Sequence, residues 1–205
     1  MPKITQARAL ARREEIVDAC AQLYEVKPFK EITLGEIGAN TSFTRTSIYN
    51  YFRTKEEIFL ALLEREFAAW AADLDALDAP DAASFPAAFA ALLERRRRML
   101  KLLSMNLYDM EAGSSLEALV QFKRAYLSSM QAMERCLRRH FPRCTEADAQ
   151  QFIYAFYPFL FGVWPYTEAT QKQRKAMEIA GMPHRSFSVG EIAGALVEKL
   201  VRPFL

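Results

Sequence analysis

Glycine and proline are scarce, 7 and 9 in 205 residues, so the two strongest helix breakers are thin along the chain. Alanine, leucine, glutamate and arginine are abundant in their place, which favours an all-α protein. Cysteine occurs three times, as Cys20, Cys136 and Cys144, with no Cys-x-x-Cys pair and no Cys/His ligand spacing. That excludes a zinc module or a disulfide scaffold and fits a reducing cytoplasm. Cys136 and Cys144 flank an expected helix end, where a thiol switch is the alternative to an inert role. The two histidines, His140 and His184, lack acids or cysteines at ligand spacing, so they read as surface or capping residues. No metal and no cofactor is expected. No run approaches the ~20 apolar residues of a membrane span, and the polar, basic N-terminus does not resemble a signal peptide. The expectation is a cytoplasmic protein with no membrane partner. Strand alternation, internal repeats, nucleophile–base pairs and glycine-rich phosphate loops are all missing, so no enzyme is expected.

What is present begins with an uneven charge. The formal net charge is only +2, but residues 1–55 hold 9 Lys/Arg against 6 Asp/Glu. From Arg45 to Lys55 there are three basic residues and no acid. Helical spacing of Ile16, Cys20, Leu23 and Tyr24 predicts a first helix over about 8–25, closed by Lys27-Pro28. Thr33 with Glu36 is a capping-box pattern that opens a second helix. Asn40 to Phe43 makes a turn, and Thr44 caps a third helix through Tyr51. Thr54 with Glu57 repeats the capping box and opens a fourth helix to about Leu77. A loop over Asp78–Pro86 precedes helices at about 85–103, 105–112, 115–140, 146–167 and 189–204. Tyr166–Ser188, with Gly181 and Pro183 as breakers, reads as a partly helical connection.

Two short helices around a tight turn, with a basic exit, are the layout that sets a helix in the DNA major groove. Thr44, Arg45, Thr46 and Ser47 lie at the start of the third helix, small enough to enter a groove and polar enough to bond to base edges. Arg45 suits guanine O6 and N7. Tyr49 and Tyr51 offer hydroxyls to phosphates, Lys55 adds a charge at the next helix start, and Thr33 is similarly placed. Lys3 and Arg8 form an arm that reaches along the backbone or into the minor groove. The expected partner is double-stranded DNA, read by a dimer at a palindromic operator.

The segments AQLYE, ITLGEIGANTSF, TRTSIYNYF and RTKEEIFLALLERE, within residues 8–63, together resemble the tetracycline-repressor (TetR) family of bacterial transcription regulators. One departure is Thr41-Ser42, where the family often has Ala-Gly. The resemblance implies an N-terminal three-helix helix-turn-helix domain, 1–55, and a C-terminal helical-bundle domain, 56–205. The second would bind a small-molecule effector and form a homodimer through its last two long helices. Such regulators are most often repressors released from DNA by the effector.

In the body, Phe85, Phe89, Leu92, Met99 and Leu103 make one stripe with Arg96 at its centre. Four consecutive arginines, Arg95 to Arg98, point almost all the way round a helix, so Arg96 must look inward. A buried guanidinium needs a partner. Two readings stay open: an internal acid, Asp109, Glu111 or Glu134, or an acidic or polar effector. Lys123 lies inside the next stripe, with Tyr126. The candidate effector residues are Phe89, Arg96, Met99, Tyr108, Lys123, Tyr126 and Phe156. The stretch from Phe152 to Trp164 is apolar on all sides, which predicts burial on both faces. Phe161, Trp164, Ile192, Leu196 and Leu200 are the expected dimer surface, and Pro158 and Pro165 are expected to kink or end their helix.

Overall fold

The computed structural model describes residues 6–43, 45–105, 107–183 and 185–205, and among them there is helix and no strand. The helices are α1 (Gln6–Val26), α2 (Leu34–Ala39), α3 (Lys55–Ala76), α4 (Phe85–Glu94), α5 (Arg97–Leu103), α6 (Leu107–Ala112), α7 (Leu116–His140), α8 (Glu146–Gly162), α9 (Trp164–Thr167), α10 (Gln171–Ile179) and α11 (Val189–Val201). Arg45–Asn50 forms a 3-10 helix. The chain makes two compact units, Met1–Arg65 with Asn106–Tyr126, and Glu66–Met105 with Leu127–Leu205. The division falls inside α3 and inside α7, and the segment from Asn106 joins the first unit.

In the first unit the core is built by the inward faces of α1 and α3. Ile16, Cys20 and Tyr24 are buried with Ile37, Ile48, Phe52, Ile58, Phe59 and Leu62. Tyr24 and Phe29 both meet the Phe59 ring edge-on, with centroids 5.3 and 4.8 Å away. The capping box expected at Thr33 is complete: its hydroxyl accepts from the Glu36 N–H, and the Glu36 carboxylate accepts from the Thr33 N–H.

The second unit is centred on aromatic side chains. Trp70, Phe85, Phe89, Phe141, Phe152 and Phe156 are each essentially inaccessible to solvent. Edge-to-face contacts link Trp70 to Phe89 at 5.5 Å and Phe89 to Phe156 at 5.1 Å, a geometry that adds to their burial. Small residues let α11 approach α4. An added Cβ at Gly194 would sit 3.5 Å from the Ala90 Cβ, and the Gly190 N–H donates to Glu94 Oε2 at 2.7 Å.

Two expectations change. The stretch 85–103 is two helices, because Arg96 leaves the helical region (φ −96°, ψ 33°) and its side chain turns back to α3. Pro158 is carried inside α8 rather than ending it, while Pro165 sits in the first turn of α9, where its missing N–H costs nothing. Within the single chain α8 buries one face, and the other is the face expected to meet a second subunit. Phe152, Phe156 and Leu160 face the core, whereas Tyr154 is 71% exposed and Phe161 half-exposed. The Tyr166–Ser188 connection contains α10, whose end is a full Schellman motif. Gly181 (φ 65°) donates to the Glu178 carbonyl and Met182 to the Met177 carbonyl.

The glycines carry opposite expectations. Gly194→Ala meets only ordinary contact and removes a flexible helix residue, so it should stabilise the chain by about 0.5–1 kcal/mol. Gly113→Ala would place a Cβ 2.8 Å from Glu56 Cγ, so it should destabilise by about 1–3 kcal/mol. Urea denaturation of the two variants checks both signs.

Candidate nucleic-acid interface

The reading element lies between α2 and α3. Its sequence, RTSIYN, is rich in β-branched and hydroxyl residues with modest α-helical propensity, and it takes the tighter 3-10 form rather than the expected α-helix. Ile48, fully buried, anchors it to the core, and Phe52 is buried just beyond. In a 3-10 helix residues three apart eclipse one another, so Ser47 and Asn50 share an edge. Tyr49 is 60% exposed. Asn50 is also exposed and was not singled out from the sequence; the period-3 register is the signal that brings it to the site.

The preceding turn needs no glycine. Among the described residues only Gly181 has positive φ, so Thr41 and Ser42 take their positions without left-handed backbone. Backbone bonds run from the Asn40 N–H to the Ile37 carbonyl and from the Thr41 N–H to the Gly38 carbonyl, and side chains reinforce them. Asn40 Nδ2 donates to the Glu36 carbonyl and Thr41 Oγ1 to the Gly38 carbonyl, both at 2.8 Å. The Ser42 N–H donates to Glu15 in a short contact, and Ser42 Oγ donates to Glu15 Oε2 at 3.1 Å.

The expected contact residues fall into distinct settings. Thr44 lies outside the described residues, as do Lys3 and His184. Arg45 and Thr46 begin the 3-10 helix, and Ser47 is half-buried within it. Arg8 is exposed on α1. Thr33 is exposed, but its hydroxyl is engaged with Glu36, which also takes Lys27 Nζ at 2.6 Å. Hydrogen bonds from Lys27 and then Thr33 hold the Glu36 carboxyl below its ordinary range, so an anion already occupies that helix start. The Tyr51 hydroxyl is buried without a hydrogen-bond partner, its ring tilted against Phe43 at 6.1 Å. Lys55 donates to the Phe29 carbonyl at 2.9 Å and lies 4.1 Å from the Phe29 ring centroid. Lys55 therefore anchors the start of α3, with two of its three N–H donors beyond that bond.

The second capping box is half made. Thr54 Oγ1 accepts from the Glu57 N–H at 3.2 Å, but the Glu57 carboxylate turns elsewhere. It takes the Arg53 N–H at 2.7 Å and the Ser115 N–H at 3.1 Å. Ser115 in turn caps α7 through the Ala118 N–H, and Thr54 Oγ1 donates to the Gly113 carbonyl at 2.9 Å. Glu57 is only 5% exposed. Burial pushes its pKa up, but hydrogen bonds from Ser115 and from the Arg53 and Ser115 backbone outweigh that and hold it below the ordinary carboxylate value.

The candidate effector residues divide between the units. Phe89, Met99 and Phe156 are buried in the second. Arg96, also there, is held by none of the three acids considered: its guanidinium binds Asp73 at 2.6 Å and the Ala69 carbonyl at 3.1 Å. Arg98 pairs with buried Glu66 at 2.7 Å. Arg97 meets Glu94, Glu168 and the face of Trp164. Tyr108, Lys123 and Tyr126 belong to the first unit, where Tyr108 is 84% exposed and Lys123 binds Glu111 at 2.6 Å. In the second unit the Trp70 N–H is buried without an acceptor. Of the dimer candidates, Phe161, Trp164, Ile192, Leu196 and Leu200 are all partly exposed.

The thiols are poorly suited to a switch. Burial pushes Cys20 and Cys136 up to about 12 and raises Cys144 as well, which disfavours the reactive thiolate. His140 Nδ1 donates to the Cys136 carbonyl one turn back, at 2.9 Å. Among the described residues no three His, Cys, Asp or Glu side chains could hold a metal ion, and no helix is long and apolar enough to cross a membrane.

A helix, a glycine-free turn and a second short helix with an exposed polar edge define a helix-turn-helix protein. Two family models cover nearly all of it: "Bacterial regulatory proteins, tetR family" over residues 16–62, and "Tetracyclin repressor-like, C-terminal domain" over 60–202. The chain belongs to the TetR family of DNA-binding transcriptional regulators. It is 30% identical over 63 residues to the uncharacterized HTH-type transcriptional regulator YfiR of Bacillus subtilis (strain 168), a match covering 31% of each chain. The chain spans less than a third of the length of the curated relatives it matches. Among solved structures, reduced E. coli NemR shares the fold with TM-score 0.56 and 20% identity, over 93% of this chain and 97% of that one. The TetR family repressor AlkX from Dietzia sp. strain DQ12-45-1b shares it with TM-score 0.52 and 12% identity, over 93% and 97%.

Glu57 generates a pH prediction. A carboxylate with depressed folded pKa contributes stability that is complete above the unfolded value, 4.5, and is lost as pH falls through the folded value below it. Glu57→Gln should therefore melt lower than the parent chain at neutral pH. The gap should narrow on acidification below the unfolded value, followed by calorimetry across the acid range.

Proposed function

We propose that the chain is a ligand-responsive repressor that binds a palindromic operator as a homodimer and leaves it when a small molecule binds. The observation that carries the DNA-reading half is the exposure of Tyr49 and Asn50 on the Arg45–Asn50 helix, held from beneath by buried Ile48 and Phe52. Arg45, Thr46 and Ser47, with Thr44, are assigned to base edges. Tyr49 is assigned to phosphate, with Lys55 supplying charge at the α3 start. Thr33 and Tyr51 reach phosphate only if the Glu36 contact or the burial of the phenol is given up. DNA reading is assigned to residues 1–55, and effector binding and dimerisation to 56–205. The working place is the cytoplasm.

Support for a homodimer comes from the apolar surface that the second unit leaves in water. On α11, Ile192, Leu196 and Leu200 recur at i, i+4 and i+8 and are partly exposed, as are Phe161 and Trp164. Ile192 and Leu196 also line an open groove with Phe159 and Phe187. Support for an effector site among Phe89, Met99 and Phe156 comes from Trp70, a buried N–H donor with no acceptor that meets Phe89 edge-on. Arg96 is already neutralised by Asp73, which disfavours the acidic-effector role for it. The switch requires the effector to prefer the DNA-free state.

Genomic DNA pull-down followed by a thermal-shift ligand screen tests the whole reading; enrichment of no fragment would sink it. On the enriched fragment, Arg45→Ala should cost about 1–3 kcal/mol of binding and relax base preference at one position per half-site. In light scattering, Leu196→Asp should shift the particle from dimer to monomer. A monomeric parent chain at working concentration would overturn the homodimer.

A further inference from the structure

The four charged residues Arg12-Arg13-Glu14-Glu15 would ordinarily be read as the solvated side of α1. In the structure each has a place within the first unit. Glu15 receives both donors of Ser42, the backbone N–H and the hydroxyl. One turn earlier, the Arg12 guanidinium lies over the Phe43 ring, 5.2 Å from its centroid. Arg13 lies over the Phe52 ring at 5.0 Å and reaches Glu64 at 3.7 Å. Glu14 and Asp18 both hold Arg65, at 3.6 and 2.5 Å. The Arg45–Asn50 helix is thus bracketed by α1, at Ser42–Phe43 before it and at Phe52 after it.

We infer that this face of α1 is a clamp that sets the pitch of the reading helix, with Glu15 as its principal positioning residue. A helix-turn-helix turn often relies on glycine for its shape, and this one has Thr41-Ser42 without positive φ. A turn that lacks glycine's conformational freedom must be held by something else. Here a carboxylate 27 residues earlier accepts the Ser42 N–H, which would otherwise have no partner in the turn. A charged acceptor holding two donors of one residue fixes its direction more firmly than a single neutral hydrogen bond would. The cation over Phe43 fixes the next residue in the same way. Since Arg45 follows two residues later, a small rotation at Ser42 displaces every side chain meant for the groove.

Glu15 acts on DNA through Ser42, and that gives the inference an unusual sign. Removing a negative charge from a DNA-binding face ordinarily strengthens binding to all DNA, because less repulsion opposes the phosphates. The clamp requires the reverse for the specific site alone. The inference rests on DNA binding by this unit and not on the effector or on the direction of regulation.

The test uses the full chain, the fragment that the parent chain enriches from genomic DNA, and an unrelated fragment of equal length, each titrated over a salt series. Glu15→Gln should lower affinity for the enriched fragment by about tenfold. Affinity for the unrelated fragment should stay level or rise, and the slope of affinity against salt should not change, since no phosphate contact is lost. Ser42→Ala keeps the backbone N–H and should lose less. Combined with Glu15→Gln it should add little, because both changes act on one contact. Thermal melts identify any variant that has lost its fold, and Arg12→Gln gives a second, milder probe of the same turn. Unchanged or tighter specific binding by Glu15→Gln overturns the clamp, as does an equal loss on both fragments. A parent chain that enriches no fragment overturns the operator reading and the clamp with it.

Discussion

A charge taken out of water must be given partners, and this chain meets that constraint at one carboxylate on which the rest of the first unit depends. Glu57 is almost fully buried and takes backbone N–H groups from both Arg53 and Ser115. One is at the approach to α3 and the other at the start of α7, two places that would each leave unsatisfied donors if separated. Removing that carboxylate would leave two helix entries without an acceptor. The same constraint governs the arginine run in the second unit, where Arg96 and Arg98 turn to Asp73 and Glu66 on α3.

This pattern explains how an all-helical chain with few glycines achieves its turns. Side chains from elsewhere supply the acceptors that tight turns leave open. Glu15 closes the Ser42 turn, Glu57 accepts the Ser115 N–H at the entry to α7, and Glu94 caps the start of α11 through the Gly190 N–H. Local order therefore depends on long-range contacts more than the helical content suggests.

Much of the architecture was legible in the sequence because its signals are local. Capping boxes span three residues, amphipathic stripes span two turns, and the motifs around ITLGEIGANTSF and SIYNYF name the family that the family models identify. The inward direction of Arg96 was legible too, since four successive arginines cannot all face water. Its partner was not, because Asp73 lies 23 positions earlier on another helix. The break at Arg95–Arg96 has no local sequence signal, because neither residue is a helix breaker. The 3-10 form of the reading helix follows from a preference too weak to read in six residues. Ser42 looked like a departure from a glycine turn only because the compensating Glu15 sits on α1.

The helix α10 has a consequence of its own. Both its ends are tied off, by the Thr170–Gln173 capping box and by Gly181, yet none of its residues is buried. A helix stabilised by its own termini owes little to the packing beneath it. Its surface can drift through substitution, or accept a tag or a graft, without the core having to be rebuilt. Of the helices in the second unit, α10 is therefore one that can change without disturbing a buried contact.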